Sequence, residues 1–211
     1  MKPILFNTEM VKAIQEGRKT QTRRPCKGLG EYNNSSGIKA DGKTLVLYRK
    51  NYNTDEVTAK PQYSVGDILY VRETWKQYEK SAGQGNTYRI CKRIGYKANE
   101  EKENNSCEYA FAKWRPSIHM PKDAARLFLK VTGVRCERVR DISADDSVKE
   151  GIYVSGGLYR GEIQKNKCKS GYVCPRNAFS GIWNACYGKK YPWENNPFVF
   201  VYEFELTEKP E

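Results

Sequence analysis

The chain has 211 residues, of which 38% are hydrophobic, 12% aromatic and 29% charged, and its formal net charge is +12. An excess of 37 lysines and arginines over 25 aspartates and glutamates favours a polyanionic partner, RNA or a nucleotide, although it also favours solubility. No apolar run reaches the length of a membrane span or a signal-peptide core, so we expect a cytoplasmic protein with no membrane partner.

The N-terminal part predicts a strand followed by a short helix. Residues 4–6 are apolar, and Asn7 or Thr8 can cap a helix that runs through Glu16 and stops at Gly17. Residues 28–62 are rich in glycine, asparagine, serine and lysine, which is typical of a surface insertion. Within this insertion, residues 44–49 and 56–59 predict a peripheral hairpin.

The middle of the chain alternates between predicted secondary-structure elements and polar segments. A turn at 64–67 precedes residues 68–72, a strand with two largely apolar faces and therefore an internal one. Residues 76–112 are polar, and we expect them to form an irregular insertion. One helical turn at 121–125 then leads into a predicted strand at 127–134.

The C-terminal part predicts two helices and the strongest strand of the chain. Ser143 is an N-cap for a helix at 144–150 that stops at Gly151. A third insertion, at 153–176, precedes an amphipathic helix at 178–187. Residues 198–206 carry aromatic side chains at alternate positions, as a buried strand does. Together the elements predict one mixed α+β domain over residues 1–211, built on a small β-barrel.

The cysteines and the histidine do not indicate a metal site. The seven cysteines are scattered, with neither the pairing of a zinc-ligand set nor the density of a secreted disulfide framework. We therefore expect free thiols and no metal. His119 is the only histidine, and no serine or cysteine motif accompanies it as a triad would require.

The most informative segment is residues 17–24, which contain four cations and two threonine hydroxyls without an acidic residue. Such a segment can bind a phosphate backbone. It can also lower the pKa of its own lysine through like-charge repulsion, and a neutral Lys19 near the Thr22 hydroxyl is a base–nucleophile pair. Alternatively, Lys19 contacts phosphate and Thr22 bonds the backbone of a turn.

Several motifs in this order resemble those of the ASCH domain family. They are Gly-Arg-Lys-Thr-x-Thr-x-Arg at 17–24, Gly-Asp-x-Leu-x-Val at 66–71, Glu-Gly at 150–151, and the aromatic strand at 198–206. Segments 70–75 and 114–121 resemble the longer ASCH proteins often carried by phages and prophages. The resemblance covers most of residues 3–152 and 178–206, and leaves the three insertions as variable regions.

The resemblance implies a PUA-like pseudo-barrel with short flanking helices, a fold associated with RNA binding. Small bacterial ASCH proteins are amidohydrolases that remove the acetyl group from the exocyclic amine of acetylated cytidine. Their catalytic lysine, threonine and glutamate correspond to Lys19, Thr22 and Glu150. The resemblance therefore implies Thr22 as nucleophile, Lys19 as its base and Glu150 as proton donor to the leaving amine, with no cofactor. Alternatively, Glu150 holds Lys19 or a cytosine amine by a charge-assisted bond, or is a solvated helix end.

Further side chains are candidates for contacts with a nucleic acid or a nucleotide. Of Arg23 and Arg24, which point to opposite sides of a strand, we expect one to brace the site and the other to face solvent or phosphate. An aromatic ring and a guanidinium can sandwich a base, although an aromatic after an apolar strand is more often core. The predicted binding residues are Arg18, Arg23, Arg24, Arg72, Trp75, Arg115 and His119.

The sequence leaves two alternatives to catalysis open. One is a non-enzymatic RNA-binding module that uses the same basic cleft, and the other is a phage-encoded ribonuclease or host-interaction factor. The fold by itself specifies no reaction.

Overall fold

The computed structural model describes residues 1–27, 37–40, 45–49, 52–82, 89–100, 112–161 and 171–210, with the backbone alone at 37–40, 45–49 and 52–57. Its strands, in chain order, are β1 (Lys2–Leu5), β2 (Gln21–Pro25), β3 (Gly37–Ala40), β4 (Leu45–Arg49), β5 (Tyr52–Ala59), β6 (Ile68–Arg72), β7 (Trp75–Ala82), β8 (Arg89–Tyr96), β9 (Phe128–Arg138), β10 (Tyr153–Ser155), β11 (Leu158–Arg160) and β12 (Phe198–Thr207). The α-helices are α1 (Thr8–Gln15), α2 (Ala144–Lys149) and α3 (Pro175–Tyr187). Short 3₁₀ turns are Lys97–Asn99, Ser117–His119, Lys122–Ala124, Val139–Asp141 and Trp193–Asn195.

The central sheet has five strands in the order β1-β6-β9-β12-β2. Only the β1–β6 pair is parallel, and the other three pairs are antiparallel. The predicted strand at 198–206 is confirmed as β12, which lies between β9 and β2 and has a register shift between Glu203 and Phe204. The mixed α+β class that the sequence predicts is therefore confirmed.

Both faces of β12 are buried, and each belongs to a different core cluster. Its alternate aromatic residues Phe198, Phe200, Tyr202 and Phe204 lie in one cluster with Val11 and Ile14 of α1. Val199 and Val201 lie in the other cluster, with the apolar side of α3. The period of two along the strand thus divides its side chains between two layers of the protein.

The first two helices begin where the sequence predicts and end one residue earlier, at Gln15 rather than Glu16 and at Lys149 rather than Glu150. The Asn7 side chain accepts a hydrogen bond of 2.8 Å from the Met10 amide, and Ser143 accepts one of 3.0 Å from the Asp146 amide. Each side chain satisfies an amide at a helix N-terminus that has no partner inside the helix. Past the C-termini, Gly17 (φ +73°) and Gly151 (φ +102°) take conformations that favour glycine.

The expected barrel is not closed by main-chain hydrogen bonds within the described part of the chain. β1 and β2 are the two edges of the central sheet, and they are connected instead by a side chain: the Arg24 guanidinium donates to the Leu5 carbonyl at 2.7 Å. Tyr63 makes a similar bond of 2.7 Å to the Pro3 carbonyl. These side-chain bonds leave room for a cleft between the edges, which a continuous ladder would fill.

The regions predicted as insertions carry their own small sheets. The predicted hairpin at 44–49 and 56–59 is confirmed by the antiparallel pair β4–β5, to which β3 adds a third strand. The expectation that 76–112 is irregular is wrong over two stretches, because β7 and β8 form an antiparallel ribbon of eight residue pairs. Its strands are polar and largely exposed, so they lack the hydrophobic alternation that identifies a half-buried strand. In 153–176, β10 and β11 form a short hairpin.

Across the residues that the structure describes, every helix is too short or too polar to span a lipid bilayer.

Candidate functional site

The candidate site begins where the segments that follow α1 and α2 meet. Lys19 and Glu150 form an isolated antiparallel β-bridge, and the Thr20 amide donates to the Lys149 carbonyl at 2.9 Å. Lys19 lies just after the Gly17 stop of α1, and Glu150 lies just before the Gly151 stop of α2. The main chain therefore places the two predicted catalytic residues side by side.

The side chains of these two residues form a buried ion pair. Lys19 Nζ lies 2.7 Å from Glu150 Oε2 and also donates to the Glu150 carbonyl at 2.9 Å. Lys19 is 2% exposed and Glu150 is 6% exposed. Burial lowers the pKa of Lys19 below its ordinary value; Glu150 opposes this effect, and the charge of Arg24 adds to it. A lysine in this setting can lose its proton more readily than one in water.

Arg23 holds the other side of the Glu150 carboxylate. Its guanidinium donates to Glu150 Oε1 at 3.1 Å, to Asp146 Oδ2 at 2.9 Å and to Glu137 Oε1 at 2.7 Å. Burial favours the neutral form of Asp146, but the charges of Arg135 and Arg23 outweigh it and hold the pKa of Asp146 below its ordinary value. Arg23 thus has the position of the bracing arginine that the sequence predicts. It lies inside a network of ion pairs rather than on a binding surface.

Arg24 points to the opposite face of β2. Its guanidinium donates to Tyr187 Oη at 2.6 Å as well as to the Leu5 carbonyl, and its central carbon lies 5.2 Å from the centre of the Phe6 ring. Lys19 Nζ lies 5.7 Å from the centre of the same ring. The cationic groups of Arg24 and Lys19 therefore both lie near the Phe6 ring.

Thr22 is buried on β2, directly opposite Tyr202 of β12. Alternation along the strand puts Thr22 on the same face as Arg24. Among the described residues, no hydrogen bond joins the Thr22 hydroxyl to Lys19 or Glu150. The structure thus brings the Lys19 amine and the Glu150 carboxylate, two of the three predicted catalytic groups, into direct contact. The third group, the Thr22 hydroxyl, lies on the face of β2 that also carries Arg24.

A cavity of about 350 Å³ opens between the edges of the central sheet. Arg24 and Tyr187, which bond to each other, both line it. The charged groups on its wall are all cations, and several of its other side chains are aromatic. The lining residues are Pro3, Leu5, Arg24, Pro25, Lys27, Lys60, Gln62, Tyr63, Tyr187, Phe200 and Tyr202. Such a pocket suits a planar, anionic ligand.

Four of the predicted binding residues lie elsewhere, around β6 and β7. Arg72 donates to the Ile118 carbonyl, and its Nε atom is buried without a partner. Trp75 is only 5% exposed, and Arg115 lies over its ring at 5.2 Å. His119 is exposed at the end of a 3₁₀ turn. The buried Trp75 ring is not available for stacking on a base, which agrees with the core interpretation of this residue.

Arg18 occupies a third place, outside the large cavity. It donates to the Gly151 carbonyl at 3.0 Å and lies 5.2 Å from the centre of the Tyr153 ring. A small recess on this side is lined by both Arg18 and Glu150. Arg18 therefore packs against the end of α2 and is not among the residues that line the cation-lined cavity.

Sequence reasoning did not assign several residues of the site. Glu137 lies beyond the predicted end of its strand, because β9 runs to Arg138 rather than to 134. Tyr187 is the last residue of the predicted amphipathic helix at 178–187, and nothing in the sequence indicates that its hydroxyl binds Arg24. Lys60 lies in the predicted insertion at 28–62, and Tyr63 lies between that insertion and the predicted turn at 64–67.

Within the described residues, no cluster of three or more histidine, cysteine, aspartate or glutamate side chains has the arrangement of a metal site. Comparisons with protein-family models, with curated proteins and with solved structures each found no match.

Proposed function

We propose that this protein is an ASCH-type, PUA-like protein that binds RNA or a nucleotide in the cavity between β1 and β2. We further propose that it hydrolyses the acyl amide of an acylated cytidine-type base. The observation that carries this proposal is the buried contact of 2.7 Å between Lys19 Nζ and Glu150 Oε2, both within the motifs that resemble the family. A lysine whose pKa is lowered by burial has the property required of a general base.

The proposed reaction begins with the neutral form of the pair, in which Lys19 is a free amine and Glu150 a carboxylic acid. Lys19 takes the proton of the Thr22 hydroxyl, whose oxygen forms a bond to the acyl carbon. The bond from that carbon to the exocyclic nitrogen breaks as Glu150 gives its proton to the leaving amine. The proton on Lys19 then passes to Glu150 across their hydrogen bond.

Water completes the cycle. Lys19 takes a proton from the water molecule that attacks the acyl-threonine, and returns it to the Thr22 oxygen as the ester bond breaks. Proton transfer requires Thr22 within hydrogen-bond reach of Lys19, and such contacts often tighten only when substrate is bound. Arg23 keeps the Glu150 carboxyl in place throughout, through the bond of 3.1 Å to Oε1.

The test is hydrolysis of acetylated cytidine by purified protein. We expect turnover by the native protein and a loss of about 10³-fold in Lys19→Ala and Thr22→Ala, because each removes a group that transfers a proton or forms the intermediate. Lys149→Ala is the matched control, since this exposed lysine lies beside Glu150 and should be dispensable. Turnover that persists in Lys19→Ala would exclude this mechanism.

A second candidate function is a non-enzymatic RNA-binding module. It is favoured by the cation-lined cavity together with the Thr22 hydroxyl, which makes no hydrogen bond to Lys19. This function predicts RNA affinity that falls steeply with salt, and no hydrolysis of any acylated nucleoside. Measuring RNA affinity in Arg24→Gln at several salt concentrations tests it, because loss of one phosphate contact lowers the salt slope by about one.

A further inference from the structure

The cavity between β1 and β2 carries more positive charge than recognition of a neutral nucleoside requires. Arg24, Lys27 and Lys60 line it, and no carboxylate is among its lining residues. The Arg24 guanidinium is already bonded to Tyr187 and to the Leu5 carbonyl. Lys27 and Lys60 are exposed, and neither forms an ion pair with a residue that the structure describes.

The two lysines reach the cavity from different parts of the chain. Lys27 directly follows Cys26, which is buried and donates its amide to the Phe198 carbonyl at 3.0 Å. Lys60 directly follows Ala59, which is buried in the same core cluster as Cys26. Each lysine is thus the first exposed residue after a core anchor, and this anchoring holds both at one opening.

The remainder of the wall is suited to a base. Four aromatic side chains line it: Tyr187 is partly exposed, whereas Tyr63, Phe200 and Tyr202 are buried and present only small parts of their rings. The Tyr63 hydroxyl donates to the Pro3 carbonyl, and the Tyr202 hydroxyl accepts from the Gln62 amide. With those hydroxyls engaged, the rings offer mainly apolar surface. The volume, about 350 Å³, is at the lower end of the range for small-molecule sites. The cavity therefore combines an aromatic wall with two ammonium groups that pair with no carboxylate in the described part of the chain.

We propose that the substrate carries a phosphate group, which Lys27 and Lys60 bind at the opening while the base contacts the aromatic wall. The inference rests on the proposed function and narrows its substrate from cytidine-type compounds in general to nucleotides. Lysine is a common phosphate ligand because its compact charge can approach the oxygens from several directions. The phosphate can be that of a free mononucleotide or that of an RNA strand, which the experiment distinguishes.

The experiment measures binding of cytidine, cytidine 5′-monophosphate and a short cytidine-containing RNA by calorimetry at low salt. The native protein should bind the monophosphate at least about tenfold more tightly than cytidine, the scale of charge-assisted hydrogen bonds. The double variant Lys27→Gln/Lys60→Gln should lose this preference and keep its affinity for cytidine. The matched control is Lys122→Gln/Lys209→Gln, which removes two charges from exposed lysines away from the cavity lining.

The outcomes separate this inference from the proposed hydrolysis, because the ligands are not acylated and binding needs no turnover. Equal affinity for cytidine and its monophosphate would overturn the phosphate site, as would an equal loss in the control variant. If RNA binds far more tightly than the monophosphate and depends on the same lysines, the phosphate is that of RNA. If the two bind equally, it is that of a mononucleotide. A lysine-dependent preference without hydrolysis of acetylated cytidine would retain the site and reject the enzyme.

Discussion

Two buried carboxylates of this protein, Glu150 and Glu73, are both paired with cations, yet their surroundings differ. Glu150 is bonded to Lys19 and Arg23, and it lines a small recess together with Arg18. Glu73 is 1% exposed and is bonded to Arg126 through two parallel contacts of 2.9 and 3.0 Å. Arg126 in turn lies 3.9 Å from the centre of the Tyr96 ring.

The difference shows that a buried ion pair does not by itself mark a site for chemistry. An arginine in a protein stays protonated, so the Glu73 pair can hold elements together but cannot exchange a proton. A lysine can, because burial lowers the pKa of Lys19. The cation-lined cavity adjoins the lysine pair, since Arg24 lies over the same Phe6 ring as Lys19.

The largest effect is expected from exchanging the two kinds of cation. Lys19→Arg keeps a positive charge beside Glu150 but replaces an amine that can lose its proton with a guanidinium that cannot. Turnover of acetylated cytidine should therefore fall about 10³-fold. Arg126→Lys, the reciprocal exchange, should leave turnover unchanged. Steady-state kinetics on both variants, with thermal melting to verify folding, tests this comparison. An active Lys19→Arg would show that Lys19 acts through its charge alone.

The next effect concerns stability at the second pair. Arg126→Met removes the two charge-assisted hydrogen bonds that Arg126 donates to the buried Glu73 carboxylate, which should lower the free energy of unfolding by about 3–5 kcal/mol. Lys2→Met, which breaks the exposed pair with Asp67, should cost no more than about 1 kcal/mol. Urea unfolding measures both variants. Turnover per folded molecule should stay native in each, and a selective loss in Arg126→Met would place Glu73 in the catalytic machinery.

A smaller effect is expected at the glycine that follows Glu150. Gly151 has φ +102°, and an added Cβ would lie 3.3 Å from the Ala13 Cβ and 3.5 Å from the Lys19 Cβ. Gly151→Ala should therefore cost about 1–3 kcal/mol of stability. It should also reduce turnover, because the tight contact displaces Ala13, whose carbonyl accepts a hydrogen bond of 3.0 Å from the Lys19 amide. Gly66→Ala is the control, because Gly66 has φ +89° but nothing within 4 Å of its added Cβ. If turnover falls equally in both, the crowding of Ala13 is irrelevant.

The smallest effect is a pH dependence that only the lysine pair should show. Because the folded-state pKa of Lys19 lies below its unfolded value of 10.5, the unfolded chain binds more protons between those two values. The free energy of unfolding should therefore rise with pH in that window, by at most about 1.4 kcal/mol per pH unit. Over the same titration kcat/KM should fall, because the proposed mechanism needs one proton on the Lys19–Glu150 pair, and its loss leaves Glu150 with no proton for the leaving amine. Comparison of urea midpoints with those of Lys19→Met isolates this contribution, and an unchanged slope would contradict it.

The sequence predicted the parts of the fold whose signals are local. The caps at Asn7 and Ser143, the glycine stops, and the strand β12 follow from hydrogen-bonding side chains and strict alternation, and the structure confirms them. The ribbon β7–β8 was not predicted because its exposed strands lack that alternation. The open edges of the sheet were also missed, since an arginine that bridges to a carbonyl leaves no pattern in the chain.

The candidate site, like the fold, was predictable only where its signals are local in the sequence. Motif resemblance placed Lys19 and Glu150 together, and the contact between them is present. The cavity could not be foreseen because its lining comes from β1, β2, α3, β12 and the segment at 60–63, which meet only in the folded protein. Likewise, Arg72 and Trp75 looked suitable for binding by residue type. In the structure Arg72 donates to the Ile118 carbonyl, and Trp75 is buried with Arg115 over its ring.

The backbone bridge between Lys19 and Glu150 bears on how this protein can be engineered. The bridge and the neighbouring bond from the Thr20 amide to the Lys149 carbonyl hold the two residues together through peptide groups. Exchanging exterior loops should therefore leave the distance between the Lys19 amine and the Glu150 carboxyl group unchanged. Transplanting the segments 13–24 and 143–151 together into another scaffold should preserve the same distance.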